Sequence, residues 1–468
     1  MRKRGLVATA AIAVVATSLL FGAAVAANPL VLIVIPALAL LVVVLSGDDR
    51  WAIGLIFLLR TFSDTALLDD GGGFLVNVAI SGLAVLLLGR YLFLERIPMG
   101  RIAIATLVFV ATFTLVGIGV NGVESSMLND SLRIFSIVSI GSAAAAAVAK
   151  RGGRSIANVI ILAAIPAAVL TFAGWVFQVP GFYSDVTGRG FGTLTHPVAA
   201  AAFFSIVAVL ALYAALHYGM YWHLGSLGIF TLAVIATSSL GGLVTIAFGL
   251  VVLLVLLERR TRGRLAAFVF VALGGLVSLS FFGTTIFSRL DELGATNSAD
   301  QSAGGENSLD WRFRNWEALL KFWEEQPVTG WGYGSTSDLI RPLGELPHSG
   351  PVQLLVETGV LGLVFAFGIV VAAVVVIVRM WRAGERNPAA LRATVLGTIL
   401  VNSLSANTLG YMPMLMAFSV VWAVAQPSSE RLTAIKGIGG HSLDGVATVN
   451  STAQGLTAHR TELTSDRT

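Results

Sequence analysis

The chain has 468 residues, 56% of them hydrophobic and only 12% charged, with a mean hydropathy of +0.84. An ordinary soluble domain carries about twice that share of charge. The absence of cysteine excludes disulfide frameworks, thiolate nucleophiles and thiolate metal sites. A formal net charge of +4 does not point to nucleic acid, because in a chain this apolar Lys and Arg serve as topological anchors.

A spanning helix needs about 20 apolar residues, and lipid leaves backbone amides no partner outside the helix itself. Apolar runs between charged or Gly/Pro/Asn breaks predict spans near 5–27, 28–46, 51–68, 73–95, 101–120, 131–149 and 155–178. Seven more follow near 197–217, 221–238, 241–257, 264–282, 351–379, 391–407 and 411–425. The pairs 5–46, 221–257 and 391–425 are split by only a few turn-forming residues. The expected fold is therefore all-α, a polytopic transmembrane helical bundle of about 12–14 spans with a large, partly helical extracytoplasmic loop. The transmembrane domain is expected over 1–425, and the Ser/Thr/Gly-rich segment 426–468 reads as a disordered cytoplasmic tail.

Basic residues recur at alternate breaks: Arg2, Lys3 and Arg4; Arg90, Arg96 and Arg101; Lys150, Arg151 and Arg154; Arg259, Arg260, Arg262 and Arg264; Arg379, Arg382, Arg386 and Arg392. The opposite breaks, such as 69–72 and 121–130, hold acids and no basic residue. Both termini are thus expected in the cytoplasm of a multi-pass cell-membrane protein. The first run has a basic start and Ala24-Val25-Ala26, like a cleavable signal peptide, but its length favours a retained helix.

Polar residues inside spans are costly and ask for a function or a partner. Arg60 and Asp64 stand four apart on one expected helix, where they can pair or hold an anionic lipid headgroup. Arg133 lies at the outer end of its span, where snorkelling is the plainer account. The loop 179–196 is rich in glycine and aromatics. Its Arg189 offers a planar fork suited to a phosphate or diphosphate, and His196-Pro197 marks the next helix start.

The long loop 283–350 carries five basic residues (289, 312, 314, 321, 341) against ten acidic ones, so no general polyanion-binding surface is expected. Within it, Leu309, Phe313, Trp316, Leu320 and Trp323 repeat at spacings of four and three, predicting an amphipathic helix over 308–325 that lies on the membrane or on the other helices. Pro327 stops it, and Gly330-Trp331-Gly332-Tyr333-Gly334 follows as a turn-rich stretch. His348, at an outer boundary, has an ordinary pKa near the working pH and is a candidate general base, or else an interfacial histidine. Gly71-Gly72-Gly73 lacks the Lys-Ser/Thr of a phosphate loop, and no metal-ligand cluster is present in the sequence.

Three blocks in this order resemble a known family. Arg189-Gly190-Phe191-Gly192-Thr193 leading to Pro197-Val198 is similar to an Arg-x-x-Gly-Thr/Ser-x-x-x-Pro-Asn pattern. Arg312 to Trp316, then Pro327 to Gly332, is similar to Arg-x-x-x-Trp followed by Pro-x-x-Gly-Trp-Gly. His348-Ser349 with Glu357, Gly359 and Gly362 is similar to His-Asn/Ser followed by Glu-x-Gly-x-x-Gly. The chain thereby resembles the O-antigen ligase and O-antigen polymerase superfamily from about 60 to 380. It departs at Val198, where Asn is common, and at Ser239-Leu240-Gly241-Gly242, where Ser-Arg-Gly-Gly is usual.

The resemblance implies an inverting, metal-independent membrane glycosyltransferase that needs no cofactor and acts outside the cytoplasmic membrane. The donor would be a polyprenyl diphosphate-linked glycan and the acceptor a glycan or glycolipid. It implies catalytic roles for His348 as general base and for Arg312 and Arg189 on the diphosphate. The expected substrate-binding set is Arg60, Arg133, Arg289, Trp316, His196 and Glu357. A transporter or flippase for a lipid-linked sugar or small solute is the alternative, against which stand the lack of internal repeats and the gathering of polar residues at one side. A scaffold whose loop binds a partner is the third reading.

Overall fold

The structure, a computed structural model, describes residues 48–63, 72–95, 99–184, 188–194, 196–258, 308–344 and 346–426. It is a helical bundle. In chain order the helices are α1 (Asp49–Ser63), α2 (Gly72–Gly89, extended by a π turn at Arg90–Leu94), α3 (Arg101–Asn121), α4 (Ser125–Arg151) and α5 (Gly153–Phe177). A two-residue hairpin, β1 (Tyr183–Ser184) antiparallel to β2 (Arg189–Gly190), precedes α6 (Pro197–His217), α7 (His223–Ala236) and α8 (Leu240–Leu256). Then come α9 (Ser308–Glu325), the single turn α10 (Ser335–Asp338), α11 (Gly350–Arg382), α12 (Arg386–Ser405) and α13 (Met412–Val424).

Eleven of the expected spans and the amphipathic helix correspond to these elements, while the runs at 5–27, 28–46 and 264–282 lie outside the described residues. Helices α3, α5, α6, α11 and the Met127–Arg151 part of α4 are long and apolar enough to cross a membrane, and shorter apolar helices accompany them. The close pair at 221–257 is two helices, broken at Ser238, which adopts a positive φ of 46°. Ser239 then caps α8, its hydroxyl accepting the Gly242 amide at 3.2 Å. The position that departs from the Ser-Arg-Gly-Gly pattern thus sits within a helix cap.

The bundle is organised around α6, which is buried on every face from Ala199 to Leu216 and packs against α5, α7, α8, α12 and α13. Its many alanines let neighbours approach closely, the device helices use where lipid gives no hydrophobic drive to associate. A Cβ on Gly242 of α8 would lie 2.3 Å from the Ala201 Cβ of α6, and one on Gly54 of α1 would lie 2.2 Å from Val159 of α5.

At the end of the bundle where the expected anchors cluster, acids pair them. Asp49 bonds Arg90 at 2.9 Å, Glu95 bonds Lys150, and Asp48 bonds Arg50 at 2.5 Å and Arg151 at 3.6 Å. Arg50 also reaches Ser155 Oγ at 3.1 Å, so α1, α2, α4 and α5 are tied together there. The hydrogen bond from Arg50 lowers the Asp48 carboxyl to about 2. The α6 to α8 seam has a direct test. Gly242→Ala should lower resistance of the detergent-solubilised protein to SDS unfolding by about 1–3 kcal/mol through overpacking. Gly228→Ala, where the added Cβ meets nothing within 4 Å, should be neutral or slightly stabilising by circular dichroism. Equal effects at the two positions would refute the seam.

Candidate active site

Pro327 closes α9, and the chain that follows crosses a break in α11. Inside α11, Gly359 adopts φ 62° and ψ −168°, which interrupts the ladder in which each amide bonds the carbonyl four residues earlier. The four backbone groups this would orphan all find partners on the crossing segment. Val360 and Leu361 amides donate to the Pro327 and Val328 carbonyls at 2.9 and 3.1 Å, and the Val356 and Glu357 carbonyls accept from the Trp331 and Gly332 amides at 3.0 and 2.8 Å.

The glycines of both motifs are dictated by this crossing. A Cβ on Gly330 would lie 2.5 Å from the Glu357 carbonyl carbon, one on Gly359 2.3 Å from the Val328 carbonyl oxygen, and one on Gly332 2.1 Å from Gly117 Cα of α3. The segment is held on its other side as well, Asn121 Nδ2 donating to the Trp331 carbonyl at 2.5 Å and the Tyr333 amide to the Phe113 carbonyl at 3.2 Å.

Glu357, expected to bind substrate, is fully buried beneath this crossing. Its Oε1 accepts from the Thr336 hydroxyl and, at 3.0 Å, from Gln353 Nε2, so the carboxylate joins α10 to α11. Arg133 belongs to the same region: it pairs with Asp130 at 3.3 Å, and Asp130 accepts from Ser337 of α10. Tyr333 is buried among these groups, and desolvation with the charges of Glu357 and Asp130 raises its hydroxyl well above the ordinary value.

A second group gathers around His348. Helix α9 grips the residues just before it: Asn315 Nδ2 donates to the Leu346 carbonyl at 3.1 Å and Trp316 Nε1 to the Pro347 carbonyl at 2.6 Å. His348 itself has φ 51°, a left-handed conformation that costs energy in a non-glycine residue and recurs at functional sites. Its ring meets Trp311 edge to face at 5.7 Å and stands 6.4 Å from the ring of His196. Burial and then the nearby Arg312 guanidinium lower His348 to about 4. The ordinary imidazole value expected from the sequence is therefore replaced by that of a desolvated ring beside a cation.

Burial lowers Arg312 as well, opposed by the neighbouring Tyr411 hydroxyl, which burial pushes up to about 12. Tyr411 follows the loop after α12, and Gly350 packs against Ser403 in the last turn of α12, a Cβ on Gly350 lying 3.1 Å from Ser403 Cβ.

His196 is exposed and caps α6, its Nδ1 accepting the Val198 amide at 3.1 Å. Arg189 is half-buried on β2, whose Gly190 is pressed against Thr171 and Trp175 of α5 and Ala236 of α7. Arg60 is fully buried on α1. Arg289 and Asp64 lie outside the described residues. The structure thus brings together His348, Arg312, Trp316 and His196, sets Glu357 and Arg133 in the adjoining crossing, and adds Trp311, Asn315 and Tyr411. The sequence signal for Trp311 and Asn315 was their place on the helix turns beside Arg312. Tyr411 offered only an aromatic at a span boundary.

The interlock makes a cooperative prediction. In Gly359→Ala, amide hydrogen exchange should rise together in 327–332 and 356–361, because each segment supplies the other's partners. A rise confined to 356–361 would show that the two do not depend on each other.

No curated protein matches the chain. Residues 224–367 match the family model described as O-antigen ligase, a stretch that contains Arg312, the crossing segment, His348 and Glu357 through Gly362. From α7 to the middle of α11, this multi-pass membrane protein carries the sequence pattern of the O-antigen ligase superfamily.

Proposed function

We propose that the protein transfers glycan from a polyprenyl diphosphate carrier to a glycan or glycolipid acceptor on the outer side of the cytoplasmic membrane. The observation that carries this reading is the gathering of His348, Trp311, His196 and the half-buried Arg312 at one end of a membrane bundle. The match of residues 224–367 to the O-antigen ligase family supports this reaction class.

In the reaction the acceptor hydroxyl attacks the anomeric carbon of the donor sugar from the face opposite the diphosphate, so the configuration inverts. The new carbon–oxygen bond forms as the bond to the diphosphate oxygen breaks, the electron pair leaves with the diphosphate, and the hydroxyl proton passes to His348. Negative charge grows on the leaving group, which is where fixed cations stabilise the transition state most. Arg312 and Arg189 take that role.

Arg312 also couples the two halves of the chemistry. Without donor, its charge helps hold His348 at about 4, which leaves the ring neutral but weakly basic. A diphosphate on Arg312 offsets that charge, so donor binding strengthens the base. Trp316 serves by holding the Pro347 carbonyl and Glu357 by fixing α10 to α11, both acting through the frame. Arg60, Arg133 and Arg289 remain candidates for carrier-lipid contact.

The test is transfer from a polyprenyl diphosphate-linked oligosaccharide to a glycan acceptor by the protein reconstituted in vesicles. His348→Ala should lose about 10²–10⁴-fold and Arg312→Ala about 10²–10³-fold in rate, with Arg312→Lys recovering part. Wild type that moves the lipid-linked sugar across the vesicle without forming a glycosidic bond would replace this reading with a flippase. The pH profiles carry a second expectation. The acid limb of kcat/KM for donor should fall near His348's free-enzyme value of about 4, and that of kcat, with diphosphate on Arg312, should lie at higher pH. Coincident limbs would refute the coupling.

A further inference from the structure

The cap at the start of α6 settles the proton arrangement of one ring beside the candidate base. A backbone N–H can only donate, so the Nδ1 of His196 that accepts the Val198 amide at 3.1 Å must carry a lone pair. The proton of the neutral imidazole then sits on Nε2. A second proton at Nδ1 would break the cap. With the cap formed, His196 is a hydrogen-bond donor at Nε2.

His348 has the complementary character, a neutral ring that offers a lone pair to a hydroxyl proton. The two ring centroids are 6.4 Å apart and their planes are inclined by 50°. That separation is too wide for a direct ring-to-ring hydrogen bond and leaves room for one oxygen atom between the rings. His196 is exposed, so the space beside it is reachable, and the ring of Trp311 backs His348 edge to face.

We infer that His196 is the residue that orients the attacking hydroxyl of the acceptor sugar, donating from Nε2 to the oxygen whose proton His348 removes. The inference rests on the glycosyltransferase reading and adds to it the acceptor contact. The hydroxyl oxygen accepts one hydrogen bond from His196 and donates one to His348, which leaves its remaining lone pair for the anomeric carbon. As the carbon–oxygen bond forms, the proton moves to His348 and the diphosphate leaves with its electron pair. His196 changes no protonation state throughout.

Two substitutions separate this role from helix capping. Asn is as good a cap as any residue and keeps the bond to Val198, but its amide is too short to reach the position of Nε2. Alanine removes both functions. In the reconstituted wild-type, His196→Asn and His196→Ala proteins, three quantities are measured: transfer as a function of acceptor concentration, affinity for polyprenyl diphosphate alone, and unfolding in SDS. His196→Asn should match wild type in unfolding and in polyprenyl diphosphate affinity, while kcat/KM for acceptor drops about 10- to 100-fold, the usual effect of losing one such hydrogen bond. His196→Ala should show the same kinetic loss with lower stability.

Wild-type transfer rates in His196→Asn would overturn the inference and leave His196 as a cap alone. A loss that appears instead in polyprenyl diphosphate affinity would overturn it in favour of a donor contact. A wild-type protein that forms no glycosidic bond would overturn the proposed function, and this inference with it.

Discussion

The exchange of backbone hydrogen bonds at Gly359 is the constraint on which the site depends. Breaking a helix inside an apolar environment exposes two amides and two carbonyls, and each such group left bare costs on the order of 1–3 kcal/mol or more. Here Val360, Leu361, Val356 and Glu357 recover all four bonds from residues 327–332. The break is thereby a junction. It fixes the segment leaving α9 onto α11, and through it the whole of α9, whose Asn315 and Trp316 hold the turn that carries His348. Three glycines at 330, 332 and 359 pass within van der Waals distance of other backbones, so the junction tolerates no side chain at these positions.

The crossing segment rests on α3, through Phe113, Gly117 and Asn121, while the rest of the bundle is organised around α6. Its alanines and the glycines facing them bring helices close enough for dispersion contacts to replace the hydrophobic drive that lipid withholds. The far end of the bundle is closed by ion pairs among α1, α2 and α4 and by the hydrogen bond from Arg50 to Ser155 of α5. Polar interactions thus sit at both ends and apolar packing between them, which leaves the His348 end free to carry strain such as the left-handed backbone of that residue.

Much of this was legible in the sequence because membrane helices obey a strong length and composition rule. The boundaries of α3, α6 and α11 follow from their apolar runs, and the four-and-three spacing of Phe313, Trp316, Leu320 and Trp323 announces α9. The charged anchors were visible too, but their pairing with Asp48, Asp49 and Glu95 was not, since it joins residues of breaks far apart in the chain. The meaning of the glycines was hidden for a similar reason. Gly359 reads as a small residue in a span until the segment bonded across it, about thirty positions earlier, is folded into place. Tyr411 beside Arg312, and His196 beside His348, are likewise juxtapositions of residues far apart in the chain.

The altered character of His348 shows why residue type alone underdetermines a site. Imidazole in water is half-protonated near neutral pH. The same ring hemmed by Trp311 and set near a guanidinium stays neutral down to about 4. Neutrality keeps the lone pair available at every working pH, at the cost of basicity. A site that binds an anion next to the cation responsible recovers that basicity only when the anion is present. In the proposed reaction the proton acceptor then gains strength when the donor's diphosphate has arrived, and premature activation of a hydroxyl, including that of water, is disfavoured. Arg312 stands in the sequence as one arginine among several. Its charge acts on both His348 and Tyr411, and in the proposed reaction it is the group through which charge on a bound anion reaches the base.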